Sequence, residues 1–355
     1  MKASLVCAIA GTTVLAGAIA AATAAAPITR NNPLRVSMYA ADGAVEVILT
    51  NTSNKIARVP RYQLPLGGLE AKLFQVSRDG QPVAYEGPMI KRGLPTASEF
   101  AILQPGQSLR SVVQLADAYD MRKGGTYTIT LASPLQHASL SDGSMLKNNR
   151  GLPLTLQSAP LRMFSAGKLP ALNKVRPGGG TTSGGVSFVG CDATQTSQLL
   201  TAVGSARTYT ENAKGYLAGN NGNGARYTTW FGAYTADRYG TAGQHFVAID
   251  SAMDQSNDAI KINCGCNQSY YAYVYPTKHY EIFVCRAFWS APNTGTDSRA
   301  GTLIHEMSHF NVVAATNDHV YGQAGAKSLA ISDPTNALDN ADSHEYFAEN
   351  TPNQN

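Results

Sequence analysis

A run rich in glycine, serine and threonine divides this chain of 355 residues into two unlike parts. The run extends from Arg176 to Gly185 and reads RPGGGTTSGG. Residues of these types offer little packing surface and keep much conformational entropy, which favours a linker over a folded element. A chain of this length accommodates two domains. We therefore predict a linker at residues 176–186 with one folded domain on each side.

The part before the linker, residues 25–175, has the pattern of antiparallel β structure. Leu34–Tyr39 and Ala44–Leu49 alternate apolar and polar residues and flank a turn containing Asp42-Gly43, which predicts a hairpin. Similar short runs lie at residues 108–120 and 125–133, with proline and glycine between them. This spacing predicts an antiparallel β-sandwich-like domain. No catalytic motif occurs in this part.

The part after the linker, residues 187–355, has a different pattern. Helices are predicted at residues 191–219, 297–313, 322–334 and 341–350, and strands at residues 270–276 and 281–289. Asp297 or Ser298 is available to cap the second of these helices. The fold class predicted for the whole chain is therefore α+β, with a helix-rich second domain.

Charge also differs between the two parts. Residues 1–186 carry 19 Lys and Arg against 9 Asp and Glu, whereas residues 187–355 carry 9 against 15. Net charges of +10 and −6 favour attraction between the two domains. Neither part has basic runs interleaved with aromatic residues, which argues against a nucleic-acid-binding protein.

Residues 1–24 have the composition of a secretory signal peptide. Lys2 precedes an apolar stretch, Leu5–Ala20, and small residues suited to cleavage follow at Ala20 to Ala24. An uncleaved membrane anchor is the alternative, but the apolar stretch is short and alanine-rich. After the first thirty residues no apolar run reaches the roughly 18 residues that a membrane span needs. We expect a secreted protein with no membrane association once the signal is removed.

Four cysteines remain after the signal peptide, at Cys191, Cys264, Cys266 and Cys285. An even number of cysteines in an exported chain suggests two disulfides. A zinc site of four cysteines is the alternative, although the spacing lacks two Cys-x-x-Cys pairs.

The sharpest chemical signal is His305-Glu306-Met307-Ser308-His309. Residues four apart share one face of a helix, so both imidazoles can bind one metal ion. Glu306, next to the first histidine, is placed to take a proton from a metal-bound water. The pattern alone is loose, and a helix with two surface histidines is the alternative.

A catalytic zinc ion usually has three protein ligands and a water. A metzincin-type third histidine is excluded, because Val312 and Ala315 stand where glycine and histidine are needed. The remaining candidates are Asp318, His319, Glu345 and Glu349.

Together with Thr316-x-Asp318-x-x-Tyr321-Gly322, the motif resembles the aspzincin metallopeptidases, which include deuterolysin and the peptidyl-Lys metalloendopeptidases. The family's second motif is Gly-Thr-x-Asp-x-x-Tyr-Gly, and this chain has Ala315 in place of the first glycine. The resemblance implies one zinc ion per chain, with Asp318 as its third ligand. It also implies that Tyr321 donates a hydrogen bond to the substrate oxyanion.

Further segments in residues 188–355 resemble the peptidyl-Lys branch, among them RYTTWFGAY, YAYVYP and NADSHEYFAEN. This resemblance implies a pocket for a substrate lysine, with Asp342 and Glu345 binding the ammonium and Tyr271 packing along the stem. The alternative is that Asp342 and Glu345 only cap a solvated helix. The resemblance also implies the disulfides Cys191–Cys264 and Cys266–Cys285.

These observations predict a secreted zinc endopeptidase that acts on protein or peptide substrates and cleaves before lysine. We expect residues 25–175 to be a propeptide that inhibits the enzyme intramolecularly, and self-cleavage before Lys168 or Lys174 would separate it. The alternatives are an aspzincin with broad, deuterolysin-like specificity and a non-catalytic secreted binding protein.

Overall fold

The computed structural model describes residues 32–41, 43–66, 68–167, 181–219 and 222–355. The predicted signal peptide lies outside the described residues, as do Lys168, Lys174 and residues 176–180 of the predicted linker. No helix in the described ranges is long and apolar enough to cross a membrane.

The first part of the chain, residues 32–167, consists of short antiparallel strands. Three 3-10 turns, Arg61–Gln63, Ala97–Glu99 and Leu115–Asp117, interrupt them. The strands are Leu34–Ala41 (β1), Ala44–Asn51 (β2), Ala57–Pro60 (β3), Phe74–Arg78 (β4), Gln81–Pro82 (β5), Met89–Lys91 (β6), Phe100–Leu103 (β7), Ser108–Val113 (β8), Gly125–Pro134 (β9), Ser139–Leu140 (β10), Thr155–Gln157 (β11) and Leu161–Ser165 (β12).

These strands form three antiparallel sheets, and one strand leaves them. The orders are β1-β2-β8, β10-β3-β7 and β11-β9-β4-β5, with β12 also paired to β9. Strands β1 and β2 form the predicted hairpin, with Val36 opposite Leu49. Alternate residues of β9 are buried, as expected when one face of a strand packs on a core. Strand β6 instead joins a sheet of the second part.

The second part, residues 181–355, contains a mixed sheet covered by helices. The sheet has the order β13-β14-β15-β17-β16-β6. Its own strands are Thr181–Ser183 (β13), Val186–Val189 (β14), Ile260–Asn263 (β15), Ala272–Val274 (β16) and Glu281–Val284 (β17). The helices are Ala193–Ala218 (α1), Ala225–Phe231 (α2), Ala236–Met253 (α3), Arg286–Ser290 (α4), Arg299–Ser308 (α5), Gln323–Ser332 (α6), Pro334–Leu338 (α7) and Ala341–Glu349 (α8).

Helices α5 and α8 form the centre of the second part. They pack against each other, and α5 also contacts α1 and α3. Helix α5 starts because the Ser298 hydroxyl caps the backbone N–H of Gly301. The residues from Ala300 to Ser308 are all buried, and so is every residue of α8. Polar side chains on these helices are therefore held within the protein interior.

The α+β class is confirmed, and several element bounds differ from the prediction. The segment 281–289 is a strand only to Val284, because Cys285 leaves the sheet and caps helix α4. The helix predicted to Val313 ends at Ser308, with His309 as its C-cap. Within the predicted linker, Thr181–Ser183 forms an edge strand paired with β14.

The two expected disulfides are present. Cys191 pairs with Cys264 and Cys266 pairs with Cys285, with sequence separations of 73 and 19 residues. The first bond joins the start of α1 to the end of β15, and the second joins the segment after β15 to the end of β17. Both therefore tie down the carboxyl ends of two central strands of the sheet.

Candidate active site

Three predicted ligands converge at the end of helix α5. The Nε2 atoms of His305 and His309 lie 3.3 and 3.4 Å from Asp318 Oδ1. One ligand atom from each residue lies within 4.8 Å of the other two. Both histidines are fully buried, and Asp318 is almost so. The helix supplies the two imidazoles, whereas the loop after it supplies the carboxylate.

Contacts behind the histidines fix their orientation. His309 Nδ1 donates a hydrogen bond to the Thr316 carbonyl at 2.8 Å, so the lone pair of Nε2 faces Asp318. His305 Nδ1 lies 2.8 Å from the Asp342 carboxylate. A carbonyl or carboxylate behind a histidine is the usual arrangement at metal sites, where it sets the tautomer and holds the ring.

The donor set fits a zinc ion. Two imidazole nitrogens and one carboxylate oxygen are ligands that zinc binds in catalytic sites. Within the described residues, His309 Nε2 and both oxygens of Glu306 are buried without a hydrogen-bond partner. Native proteins rarely leave such atoms unpaired, so a bound group that faces them is expected.

Burial raises the pKa of Glu306 to about 7, which suits proton exchange near neutral pH. Burial raises the pKa of Asp318, but the hydrogen bonds and charge interactions with His305 and His309 together outweigh this effect and lower it.

Tyr321 lies beside the three ligands with its hydroxyl directed at a peptide carbonyl. Its Oη donates a hydrogen bond of 2.9 Å to the carbonyl oxygen of Ile90, on strand β6. Burial raises the pKa of Tyr321 well above its usual value, so the hydroxyl keeps its proton. A cavity of about 530 Å³ lies beside this position, with Met89, Ile90, Asp318 and Tyr321 in its lining.

An acidic pocket adjoins the site and contains a lysine of the first part of the chain. The Nζ atom of Lys91 lies 2.6 Å from Glu345, 3.3 Å from Asp297 and 3.7 Å from Asp342. It also lies over the rings of Tyr271 and Tyr346, 5.2 and 5.9 Å from their centroids. The side chains from the predicted set, Asp342, Glu345 and Tyr271, thus surround one ammonium group.

Asp342 and Glu345 are not caps of a solvated helix. Helix α8 begins after Asn340, and both carboxylates are buried in its first two turns. Asp342 additionally accepts a hydrogen bond from the backbone N–H of Gly322, next to Tyr321. One carboxylate thus contacts the back of a predicted metal-binding histidine, the turn that carries Tyr321 and the lysine in the acidic pocket.

Comparison with known proteins identifies the family. A model described as lysine-specific metallo-endopeptidase, of the aspzincin type, matches residues 216–349. An extracellular protease of Aeromonas hydrophila is 43% identical over 96% of this chain and 97% of its own length. A peptidyl-Lys metalloendopeptidase of Pleurotus ostreatus is 52% identical over 47% of this chain and 98% of its own. A solved zinc peptidase from Grifola frondosa is 43% identical over 46% of this chain and all of its own, with a TM-score of 0.45.

The chain belongs to the aspzincin family. It is a zinc metalloendopeptidase, and its substrates are peptides or proteins. The aspzincin motif is accommodated despite Ala315, which adopts a φ of 51°, in the left-handed region that favours glycine. The backbone turn therefore survives the loss of the family's glycine.

His319, the alternative to Asp318, is directed away from the ligands. Its Nε2 lies 2.8 Å from Asp339 Oδ2, and its backbone N–H donates to the Asn340 side chain. Glu349, another alternative, accepts hydrogen bonds from the backbone and hydroxyl of Ser298. Burial, with the nearby charge of Glu345, raises the pKa of Glu349 to about 9.

Sequence reasoning missed three residues of the acidic pocket, Asp297, Tyr346 and Lys91. The sequence indicates Asp297 only as a possible helix cap, gives Tyr346 no motif, and contains Lys91 as one of 28 Lys and Arg. Tyr346 donates a hydrogen bond of 2.7 Å to Asp297, which holds that carboxylate near the ammonium. Spacing gives a signal only for Tyr346, which is four residues after Asp342 on the same helix face.

Proposed function

We propose that this aspzincin cleaves peptide bonds on the N-terminal side of lysine, with the lysine side chain in the acidic pocket. The observation that carries the proposal is Lys91 itself. A lysine ammonium fits between Glu345, Asp342 and Asp297, and two aromatic rings lie beside it. Three carboxylates around one buried cation favour lysine over neutral residues, because a neutral side chain would leave them buried and unpaired.

The residues of the site have separate roles in hydrolysis. His305, His309 and Asp318 would hold a zinc ion, which when bound would supply a Lewis acid and lower the pKa of water towards neutral. Glu306 takes a proton from the attacking water and returns it to the amine that leaves. Tyr321 donates a hydrogen bond to the scissile carbonyl oxygen, where negative charge develops. One zinc ion per chain suffices for these roles.

The domain arrangement belongs to the same proposal. Residues 1–24 are a secretory signal, residues 25–175 an inhibitory propeptide, residues 176–186 a linker and residues 187–355 the mature enzyme. The Pleurotus relative supports this division, because nearly its whole length aligns with about half of this chain. The name of the Aeromonas relative supports secretion. Self-cleavage before Lys168 or Lys174 would release the mature enzyme.

Digestion of an unfolded protein by the processed enzyme tests the specificity. Mass spectrometry of the products is expected to show cuts before lysine that a zinc chelator abolishes and that a Glu306→Gln sample does not make. Chelator-sensitive cuts without preference for lysine would instead indicate broad, deuterolysin-like specificity and would refute the pocket assignment.

A further inference from the structure

Strand β6 is the link between the first part of the chain and the catalytic sheet. Among the described residues, it is the strand from positions 32–167 that pairs with a strand of the second part. It lies antiparallel to β16, with Lys91 opposite Ala272 and Met89 opposite Val274. An extended peptide added to a sheet edge is a common way for proteins to bind peptides.

The register of this strand is that of a peptide placed for cleavage before lysine. The Ile90 carbonyl, which belongs to the peptide bond between Ile90 and Lys91, accepts the hydrogen bond from Tyr321. The next side chain, Lys91, enters the acidic pocket. The backbone N–H of Tyr271 donates to the Lys91 carbonyl at 3.1 Å, which fixes the strand on the far side of that bond. One segment therefore occupies both the carbonyl position and the lysine pocket.

Electrostatics strengthens the hold on Lys91. Its side chain is only 1% exposed, and a buried ammonium is unfavourable unless carboxylates pair with it. Burial lowers the pKa of Lys91, but the carboxylates of Asp342, Glu345 and Asp297 outweigh this effect and raise it well above its usual value. The lysine therefore stays charged, and its positive charge balances part of the negative charge of the carboxylates.

Further contacts of the first part of the chain surround the strand and the site. Arg92 Nη2 donates to the Glu70 carboxylate, and its guanidinium stacks near the ring of Tyr62. Gln136 forms two hydrogen bonds with the backbone of Tyr321, of 2.6 and 2.8 Å. The first part of the chain thus contacts both the pocket and the loop that carries the catalytic tyrosine.

We infer that Met89–Lys91 is a built-in substrate mimic, and that Lys91 in the lysine pocket is the anchor that keeps the precursor inactive. This inference rests on the proposed function, because the anchor works only if the pocket selects lysine. It identifies the inhibitory element of the propeptide as a single strand, rather than the general charge attraction between the two parts.

Binding of a labelled peptide to the uncut precursor tests the inference. The protein is the zinc-loaded, full-length Glu306→Gln chain, which cannot process itself, alone or with Lys91→Ala. The probe is a short fluorescein-labelled peptide with one central lysine. The control peptide, its alanine twin, has the same sequence with alanine in place of that lysine. Strand β6 competes with the probe as an internal ligand. At an effective concentration of about 1 mM and an intrinsic Kd of about 10 μM, it would weaken binding of the probe about 100-fold. Lys91→Ala is therefore expected to tighten binding of the lysine probe about 100-fold.

Two further variants serve as controls. Lys147→Ala removes an exposed lysine of the same part of the chain and is expected to bind as weakly as the parent. Lys91→Met keeps a long unbranched side chain and removes the charge, so this variant tests the inference if Lys91→Ala does not fold. Circular dichroism melts establish that each variant is folded.

The outcomes separate the inference from the proposed function. Tight binding of the lysine probe, but not of its alanine twin, by the Lys91 variants supports both. If the folded Lys91 variants bind as weakly as the Glu306→Gln parent, while the processed enzyme with Glu306 intact cuts before lysine, the anchor is wrong and the proposed function stands. A processed enzyme with no preference for lysine would overturn the proposed function and the inference with it.

Discussion

Asp342 and Glu345 lie three residues apart on one helix, yet their contacts predict different effects when each loses its charge. Asp342 contacts His305 Nδ1 at 2.8 Å and the lysine ammonium at 3.7 Å. For Glu345 the order is reversed, with 3.4 Å to His305 and 2.6 Å to the ammonium. Asp342→Asn should therefore act mainly on zinc binding, and Glu345→Gln mainly on lysine selection.

The magnitudes follow from these contacts. Loss of an outer partner of a metal-binding histidine typically costs 10–100-fold in metal affinity, so a loss of about that size is expected for Asp342→Asn. A charge-assisted hydrogen bond is worth about 1.5–3 kcal/mol, which corresponds to roughly 10–150-fold in kcat/KM for a lysine substrate. That loss is expected for Glu345→Gln at saturating zinc, with little change for a substrate that has alanine in place of lysine.

Two assays on the processed enzymes separate the effects. Competition with a chromogenic chelator gives the zinc affinity, and kcat/KM at saturating zinc gives the ratio of lysine to alanine cleavage. Asp254→Asn removes a half-exposed carboxylate of the same part of the chain and is the matched control. The reasoning is refuted if Glu345→Gln loses as much zinc affinity as Asp342→Asn, or if both variants keep the parent's lysine preference.

Two further predictions concern stability. Gly301→Ala in α5 should destabilise the protein by about 1–3 kcal/mol in chemical denaturation, because the added Cβ would lie 2.1 Å from Glu349 Oε1. Gly204→Ala in α1 meets no atom within 4 Å and should stabilise by up to about 1 kcal/mol, so equal effects of the two changes would contradict the packing argument. Burial lowers the pKa of His344 to about 3, below its unfolded value near 6.5, so only the unfolded state gains this proton as pH falls. Stability should therefore drop by about 1.4 kcal/mol per pH unit below pH 6.5, and the drop should be shallower in His344→Gln; parallel pH profiles for the two proteins would exclude this source.

Local pattern was sufficient for much of the fold. The β1–β2 hairpin follows from alternating residues around a turn, and helix α1 follows from apolar residues at helical spacing. The prediction was wrong where tertiary contacts end an element. The segment 281–289 is mostly apolar, but the disulfide at Cys285 and a hydrogen bond from Arg286 N–H to the Gln268 carbonyl draw it out of the sheet after Val284.

Part of the acidic pocket could not be predicted from the sequence, because its members are brought together only by tertiary contacts. Asp297 and Lys91 are 206 residues apart, and no periodicity relates them. Asp297 enters the pocket because α5 packs on α8, where Tyr346 donates to its carboxylate. Lys91 enters because β6 is added to the edge of the catalytic sheet.

The sequence by itself was enough to predict a metal-binding pair of histidines and the glutamate between them as proton acceptor. Residues four apart on a helix share a face, so the spacing of His305 and His309 alone brings their imidazoles together. Tertiary structure decided which neighbour completes the set, because the turn at Ala315 and the contact of His319 with Asp339 leave Asp318 facing the imidazoles. It also decided which lysine fills the pocket, since strand pairing depends on contacts between residues that are distant in the chain.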